Sequence, residues 1–157
     1  GLGELKPSLC SRIKLNSLTV TSFQTVSMSE LGHTKVRALE SQLSKHEQVP
    51  IETNHDFHAG VYARTIMIPR GVALTGAEIK IPTLLIIQGN CMMTNGEHSV
   101  VITGYNVIPA QLGRKTAYYA YDDTHITMLF ATDASDVEGA EAAFTNEAAR
   151  LLSRRST

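Results

Sequence analysis

The chain has 157 residues, of which 43% are hydrophobic and 18% are charged, and this length indicates one domain with its own core. Its 14 Lys and Arg against 15 Asp and Glu leave a formal charge of −1, without the basic surface typical of nucleic-acid binding. No apolar run approaches the roughly 20 residues of a membrane-spanning helix. These properties exclude a basic nucleic-acid-binding domain and an integral helical membrane protein.

The first 27 residues differ from the rest of the chain. They are polar, rich in serine and threonine, and lack the order of a signal peptide, and Met28 resembles a natural start. We therefore interpret residues 1–27 as a leader or extension outside the fold. The two cysteines, Cys10 and Cys91, have no metal-ligand spacing. We expect two free thiols in a reducing compartment, with one bridge between them as the alternative.

A helix is predicted from residue 29 to about 46, within an N-terminal segment that covers 28–50. Val36, Leu39 and Leu43 follow the spacing i, i+3, i+7, and charged residues occupy most of the other positions. Because this apolar stripe is narrow, we expect the helix to lie on another element or to pair with a copy of itself.

Short strands are predicted between residues 61 and 132, separated by glycine and proline turns. Asn95-Gly96 is the strongest hairpin signal. This spacing is typical of a sandwich or barrel and argues against a parallel sheet. After residue 133 a helix with a capping box at 135–138 is expected, and a second short helix near 146. The predicted strands cover 62–68, 79–87, 91–94, 98–103, 105–108, 116–121 and 125–132.

Two polar groups are candidates for chemistry. His55 and His58 could form a metal or acid–base pair, but no further ligands stand at a recognisable spacing, so we favour a surface loop around Phe57. Asp122 and His125 could form an acid–base pair, yet the Asp-Asp-Thr sequence is typical of a turn between strands. The chain contains no nucleophile elbow and no glycine-rich phosphate loop.

Tyrosines form a third candidate group. Tyr118, Tyr119 and Tyr121, together with Tyr62 and Arg64, could line the mouth of a pocket for a sugar or nucleobase. The competing explanation is that tyrosine suits a half-buried sheet surface, and we favour it.

Residues 76–89 leave one question open. In this stretch Glu78 and Lys80 alternate with Ile79 and Ile81, so the two charges share one face of a strand and the isoleucines share the other. If the isoleucines face inward, the strand is an ordinary half-buried one. If the charges face inward, they line a site.

Four stretches of the chain, taken in sequence order, resemble a cupin. Their amino-acid sequences are similar to those of small single-domain cupins encoded in bacteriophage genomes. The resemblance covers most of residues 55–134 and implies an all-β fold. This would be a double-stranded β-helix, or jelly-roll barrel, with a flanking N-terminal helix and a short C-terminal helical segment at 135–157. The stretches are H-D-F-H-A-G-V-Y-A-R-T-I-M-I-P-R-G-V-A-L-T-G (55–76), Q-G (88–89) with the apolar strand before it, G-Y-N-V-I-P-A (104–110) and G-R-K-T-A-Y-Y-A-Y-D-D-T (113–124).

Metal-binding cupins place histidines two residues apart in their first motif and a further histidine in the second. Here the resemblance puts Glu78 and Lys80 at the first-motif positions, Pro82 or Thr83 at a further position, and no histidine in the second motif. A lysine ammonium is not a ligand at neutral pH. We therefore expect no metal and no cofactor, and a Glu78–Lys80 salt bridge facing the lumen where a metal would be.

Two functions follow from the resemblance. The first is a non-catalytic, metal-free, homo-oligomeric structural or interaction protein, associated with a virion or the host cytoplasm, with other phage structural proteins as further partners. The second is a barrel that binds or converts a sugar, carboxylate or nucleotide in its lumen. The ligand-binding residues expected for the second function are Glu78, Lys80, Lys115, Arg64 and Tyr119.

Overall fold

The computed structural model describes residues 26–151. Helix α1 spans Glu30–Leu43, helix α2 spans Val137–Phe144, and Ala148–Arg150 form a short 3-10 helix. The expected all-β architecture is confirmed, since antiparallel strands form the body of the molecule. The strands are β1 (Glu52–His58), β2 (Val61–Ile68), β3 (Ala73–Thr75), β4 (Thr83–Thr94), β5 (Ser99–Ala110), β6 (Ala117–Ala120) and β7 (Thr124–Ala131).

Strand β4 organises the sheet. One of its edges pairs with β5 along all twelve residues. Its other edge is divided, because the first half pairs with β7 and the second half pairs with β6. The strand order is β1-β2-β7-β4-β6-β3, with β5 on the free side of β4. Since a single strand serves two different neighbours on one edge, the sheet curls around an interior.

The curl occurs at Gly89, between the two halves of β4. Its φ is +148°, and a β-carbon there would lie 2.5 Å from Thr124 Oγ1 and 2.8 Å from Thr124 Cα. The same threonine hydroxyl accepts from Asn90 N at 3.2 Å and donates to the carbonyl oxygen of Asp122 at 2.8 Å. Only glycine fits this backbone shape and this close approach.

The interior is filled by the inward-facing residues of the curled strands. Alternation is regular along β4 and β7, where every second residue is buried. These side chains form one apolar core, with Tyr62 and Ile68 from β2, Leu85, Ile87, Cys91 and Met93 from β4, Ile102 and Ile108 from β5, Tyr118 and Ala120 from β6, and Ile126, Met128 and Phe130 from β7.

Helix α1 lies across one side of this barrel. Ser29 caps it by accepting from Gly32 N, and Gly32 packs so closely on the turn at Gly96 that a β-carbon on Gly96 would lie 2.5 Å from the Gly32 carbonyl oxygen. The helix buries Gly32 and Val36, whereas Leu39 is 38% exposed. The predicted helix is confirmed, but the face it buries follows i, i+4 spacing and excludes Leu39.

Most predicted strands are confirmed in position, but several bounds differ. The strand expected at 79–87 begins only at Thr83 and continues through the next predicted strand to Thr94, and the strands expected at 98–103 and 105–108 are one strand, β5. The strands β1 and β3 were not predicted, because a polar seven-residue sequence and a three-residue sequence carry no clear alternation. Helix α2 is capped by Asp136, which accepts from Gly139 N, and not by the predicted Ser135.

The interpretation of residues 1–27 as an extension falls largely outside the described residues. Within them, Val26 forms a parallel bridge with Ala110, donating to the Pro109 carbonyl and accepting from Gln111 N. No helix in the described residues is long and apolar enough to cross a membrane.

We predict that Gly89→Ala lowers the free energy of unfolding by about 2–4 kcal/mol, since it combines an unfavourable φ with a steric clash. Gly104 is the matched control, because it pairs with Gly89, has a φ of +73° and has open space where a β-carbon would lie. Gly104→Ala should cost only about 1–2 kcal/mol for the backbone shape. If urea denaturation showed the same loss of unfolding free energy for both variants, the proposed clash at Gly89 would be contradicted.

Candidate functional site

In residues 76–89, Ile79 and Ile81 face inward and the charged residues do not, which is the opposite of the expected orientation. Ile79 is buried in the core and Ile81 packs against it, so the isoleucines face inward. Glu78 pairs with Arg37 at 2.6 Å, and Lys80 donates to Asn146 Oδ1 at 2.9 Å. The prediction of a Glu78–Lys80 salt bridge facing the lumen is therefore wrong.

The physical reason is the pairing of Ile79. It makes a single bridge to Arg114 outside any regular strand, and its N–H donates to the Arg114 carbonyl at 2.9 Å. Because side chains along an extended chain alternate, inward Ile79 and Ile81 leave both charges on the other side. The inward positions here hold Ile79 and, further on, Thr83.

Glu78 instead belongs to a network of six charged side chains that we call the ion-pair clamp. It contains three cations and three carboxylates, so its formal charge is zero. The clamp joins helix α1, the loop before β4, the segment before β6 and the C-terminal segment. Its members are Arg37, Glu40, Glu78, Lys115, Glu147 and Arg150.

Lys115 is at the centre of the clamp and is only 1% exposed. Its ammonium group donates to the Gly76 carbonyl at 2.9 Å and to Glu147 Oε2 at 3.4 Å, and it forms an ion pair with Glu40 Oε2 at 2.8 Å. An ammonium has three N–H donors, and three oxygens surround it here. Lys115, which was expected to anchor a ligand, contacts three segments of its own chain.

Glu147 receives donors on both carboxylate oxygens. Glu78 N donates to Oε2 at 2.7 Å, while Arg37 and Arg150 donate to Oε1 at 3.2 and 3.3 Å. Burial by itself would raise the pKa of this carboxyl, but the Glu78 N–H, the Lys115 charge and the Arg37 hydrogen bond outweigh it. The pKa of Glu147 therefore lies below its ordinary value.

Arg64 lies at a different place, beneath helix α2 at the end of the barrel. Its Nη1 is 3.5 Å from Oε1 of the fully buried Glu141, and its guanidinium lies 5.9 Å from the Phe144 ring centroid. The same ring stacks on Tyr62 at 6.4 Å. Arg64 therefore holds α2 over the barrel opening.

His55 is joined to this end of the barrel through Tyr62. Its Nδ1 lies 2.7 Å from the Tyr62 hydroxyl. Burial, followed by the Arg64 charge, lowers the pKa of His55, and burial raises the pKa of Tyr62. His55 lies in strand β1, whereas we had favoured a surface loop around Phe57. The Phe57 side chain is 36% exposed and its ring contacts that of Tyr62.

The tyrosines do not converge on one pocket. Tyr118 is buried and its hydroxyl accepts from Thr116 Oγ1 at 3.1 Å, whereas Tyr119 and Tyr121 are exposed and meet edge to face outside. Tyr119 thus faces away from the lumen in which it was expected. Of the five expected ligand residues, the structure brings only Glu78 and Lys115 into one network.

The aspartates of the polar stretch 122–125 accept hydrogen bonds from neighbouring segments. Asp123 Oδ1 accepts from Arg70 N at 2.9 Å, and Asp122 Oδ2 accepts from Asn90 Nδ2 at 3.4 Å. His125 is exposed on the neighbouring strand. This agrees with the favoured interpretation of these aspartates as turn residues.

No group of three or more His, Cys, Asp or Glu that could hold a metal ion occurs among residues 26–151. Cys91 is a free, fully buried cysteine, and burial raises the pKa of its thiol to about 11. A thiol with such a pKa is protonated at neutral pH and unreactive.

Arg114 is the functional candidate that the sequence analysis did not single out. It is 2% exposed, and its Nη2 donates to Thr83 Oγ1 at 2.7 Å and lies 3.6 Å from Met128 Sδ. Nη1 donates to the Gln111 carbonyl at 3.3 Å. The Gly-Arg-Lys sequence was noted only for lacking histidine, and no sequence pattern distinguishes an inward arginine there.

The outer surface of β2, β7, β4 and β5 is uncharged. Strand register arranges twelve outward residues into three rows of four, which we call the uncharged face. None is Lys, Arg, Asp or Glu, although 18% of the chain is charged. The rows are Ala63–Leu129–Leu84–Pro109, Thr65–Thr127–Ile86–Val107 and Met67–His125–Gln88–Tyr105.

We predict that Lys115→Met lowers the free energy of unfolding by about 3–5 kcal/mol, because it removes the buried ammonium group that Glu40 and Glu147 share and leaves them only the more exposed arginines. Lys80→Met is the matched control. Its side chain is exposed with one hydrogen bond, and the change should stay within about 0.5 kcal/mol. Similar denaturation midpoints for both variants would contradict the central role of Lys115.

The lowered pKa of Glu147 predicts a pH dependence of stability. A carboxyl whose pKa is lower in the folded than in the unfolded state stabilises the fold above the unfolded value, here about 4.5. That contribution is lost as the pH falls from there through the lower, folded value. Glu147→Gln should therefore flatten the decline of the melting temperature below about pH 4.5. An unchanged acid profile would exclude this carboxylate as a source of the decline.

No protein-family model and no curated protein matches the chain. Among solved structures, a cupin superfamily protein from Desulfitobacterium hafniense is 13% identical with a TM-score of 0.45, over 56% of this chain and 83% of that one. A cupin-2 domain containing protein from Shewanella frigidimarina is 10% identical with a TM-score of 0.43, over 63% and 97%.

An RmlC-like cupin family protein with a double-stranded β-helix fold, from Methanocaldococcus jannaschii, is 14% identical with a TM-score of 0.43, over 55% of this chain and 84% of that one. At such identities the likeness concerns the fold and not the activity. The antiparallel strands of the chain form an all-β, jelly-roll arrangement, and the solved structures similar to it include proteins of the cupin superfamily.

Proposed function

We propose that this protein is a non-catalytic structural or interaction module that associates with a second copy of itself through the uncharged face. The observation that carries the proposal is the absence of Lys, Arg, Asp and Glu from the three rows of that face. A symmetric dimer brings the same patch of both copies together, so any charge near the axis would meet its own sign. An uncharged patch avoids this repulsion.

The size of the face is suited to such a contact. Four strands about 4.8 Å apart and three rows about 6.8 Å apart give roughly 19 by 20 Å, or about 400 Å². Apolar patches on monomers are mostly of a few hundred Å², and a standard interface buries about 800 Å² per partner. Residues that flank the three rows would have to contribute the other half of the buried area.

Charged residues begin at the border of the face. The neighbouring strand β1 places Glu52 opposite Met67 and Asp56 opposite Ala63. A central area without charge and a polar border are the usual arrangement of a protein interface. At the opposite border, Tyr105 and Val107 are 65% and 49% exposed, which is unusual for apolar strand residues without a partner.

The barrel interior supports the non-catalytic part of the proposal. The positions that face inward from β4, β6 and β7 hold isoleucine, leucine, methionine, cysteine and tyrosine in one packed core. Of the charged residues expected in the lumen, Glu78 and Lys115 belong to the ion-pair clamp and Lys80 lies outside. Arg64 pairs with the buried Glu141. A packed interior leaves little room for a substrate beside a reactive group.

The resemblance to phage-encoded cupins adds a setting to this proposal. We propose a protein made with the virion genes, carried in the virion or present in the host cytoplasm. This setting rests on the sequence resemblance alone, and peptides of the chain in purified virions would support it.

We predict that the wild-type chain sediments as a dimer and that Val107→Lys weakens the dimer at least about tenfold, because two like charges then face each other across the contact. Sedimentation velocity over a wide range of protein concentration measures this. Val107 is about half exposed, so circular dichroism and melting temperature should be unchanged.

Val101→Lys is the matched control. Val101 is on the same strand, points to the same side and is 56% exposed, but it pairs with Met92 beyond the bend at Gly89. The dimer of Val101→Lys should be as stable as that of the wild type. A wild-type chain that stays monomeric at the highest concentration overturns the proposal, as does equal weakening by both substitutions.

A further inference from the structure

Arg114 carries a buried charge with no carboxylate partner among residues 26–151. Its three contacts are a carbonyl oxygen, a threonine hydroxyl and a thioether sulfur. Arginine stays protonated in proteins, and a buried charge without a counter-charge is costly. Burial lowers the pKa of Arg114, with Tyr118 acting in the opposite direction, which agrees with an environment short of negative charge.

Arg64, the arginine opposite Met128, does not supply or remove a negative charge at Arg114. Arg64 faces Met128 across the β2–β7 pair, and its carboxylate partner is Glu141. Of these two arginines, the described residues supply a carboxylate to Arg64 and none to Arg114. The surroundings of Arg114 favour an additional anion.

A shallow, open groove lies next to the Arg114 site. It has a volume of about 500 Å³ and is lined by residues at the start of β4 and the end of β7. Thr83 lines this groove, and the same Thr83 hydroxyl accepts the hydrogen bond from Arg114. The other lining residues are apolar, namely Ile81, Pro82, Leu84, Leu129, Phe130 and Ala131.

One of the Arg114 contacts is easily displaced. A thioether is a weak hydrogen-bond acceptor, and methionine is a flexible side chain. A carboxylate oxygen that entered beside Thr83 would replace the Met128 contact by a charge-assisted hydrogen bond, which is about twice as strong as a neutral one. An aliphatic tail on the same molecule would lie along the apolar wall of the groove.

We propose that the groove binds an aliphatic monocarboxylate, with the carboxylate held by Arg114 and Thr83 and the tail lying against Ile81, Pro82 and Phe130. This site goes beyond self-association and does not depend on it. It differs from the expected lumen site, because none of Glu78, Lys80, Lys115, Arg64 and Tyr119 holds the carboxylate. The uncharged face shares only its first row with the groove, through Leu84 and Leu129.

Isothermal titration calorimetry with hexanoate tests the site. We expect hexanoate to bind the wild-type chain at least about tenfold more tightly than acetate, because its longer tail buries more apolar surface. Hexan-1-ol, which has the same tail without the charge, should bind at least about tenfold more weakly than hexanoate. Wild-type protein that does not bind hexanoate, or that binds hexan-1-ol equally well, overturns the proposal.

Arg114→Met should weaken hexanoate binding by about tenfold to a hundredfold, the range for hydrogen bonds to charged groups. Arg70→Met is the matched control, since Arg70 is an exposed arginine whose backbone N–H bonds to Asp123, and its affinity should equal the wild type. Equal affinity of the Arg114 variant would overturn the role of the guanidinium.

Two further variants keep the result interpretable. If Arg114→Met does not fold, Thr83→Val tests the site, because Thr83 lines the groove and its hydroxyl accepts from Arg114. It should also weaken hexanoate binding, and unchanged affinity would overturn the proposal. Repeating the titration with Val107→Lys separates the two proposals. Hexanoate should bind this variant as it binds the wild type, whether or not the chain forms a dimer.

Discussion

The buried ammonium group of Lys115 is the interaction on which the arrangement of the whole chain depends. Its three acceptors come from helix α1, from the loop before β4 and from the C-terminal segment. Each N–H must keep an acceptor, because a buried charge without partners costs several kcal/mol. One side chain therefore holds three segments, far apart in sequence, against one side of the barrel.

This constraint also decides what faces the interior. With Glu147 bonded to the backbone N–H of Glu78, the loop before β4 is held so that Ile79 packs inward and Glu78 pairs with Arg37 outside. Glu78 and Lys80 thus bond to helix α1 and to the C-terminal segment, while apolar side chains fill most of the interior, in which Arg114 is also buried. What remains available for binding is the uncharged face and the groove next to Arg114.

Much of the fold could be predicted from local patterns. The Asn95-Gly96 turn, the positions of β2 and β7 and the N-terminal helix are confirmed, because turn chemistry and periodicity act over a few residues. Strand β1 was missed since its sequence, E-T-N-H-D-F-H, has no apolar alternation. The candidate site was predicted less well: Glu78 and Lys80 share one face as expected, but alternation does not say which face is inward.

The amino-acid sequence by itself determined an all-β chain with flanking helices, because hydrophobic period and turn residues are encoded within short stretches. Only the tertiary structure decided that Lys115 pairs with Glu40 and Glu147, that Arg114 is buried with no carboxylate partner in the described part of the chain, and that twelve outward residues on four strands form one uncharged face. Ion pairs and surface patches join residues distant in sequence, and their partners are set by strand register and by the curl of β4 at Gly89.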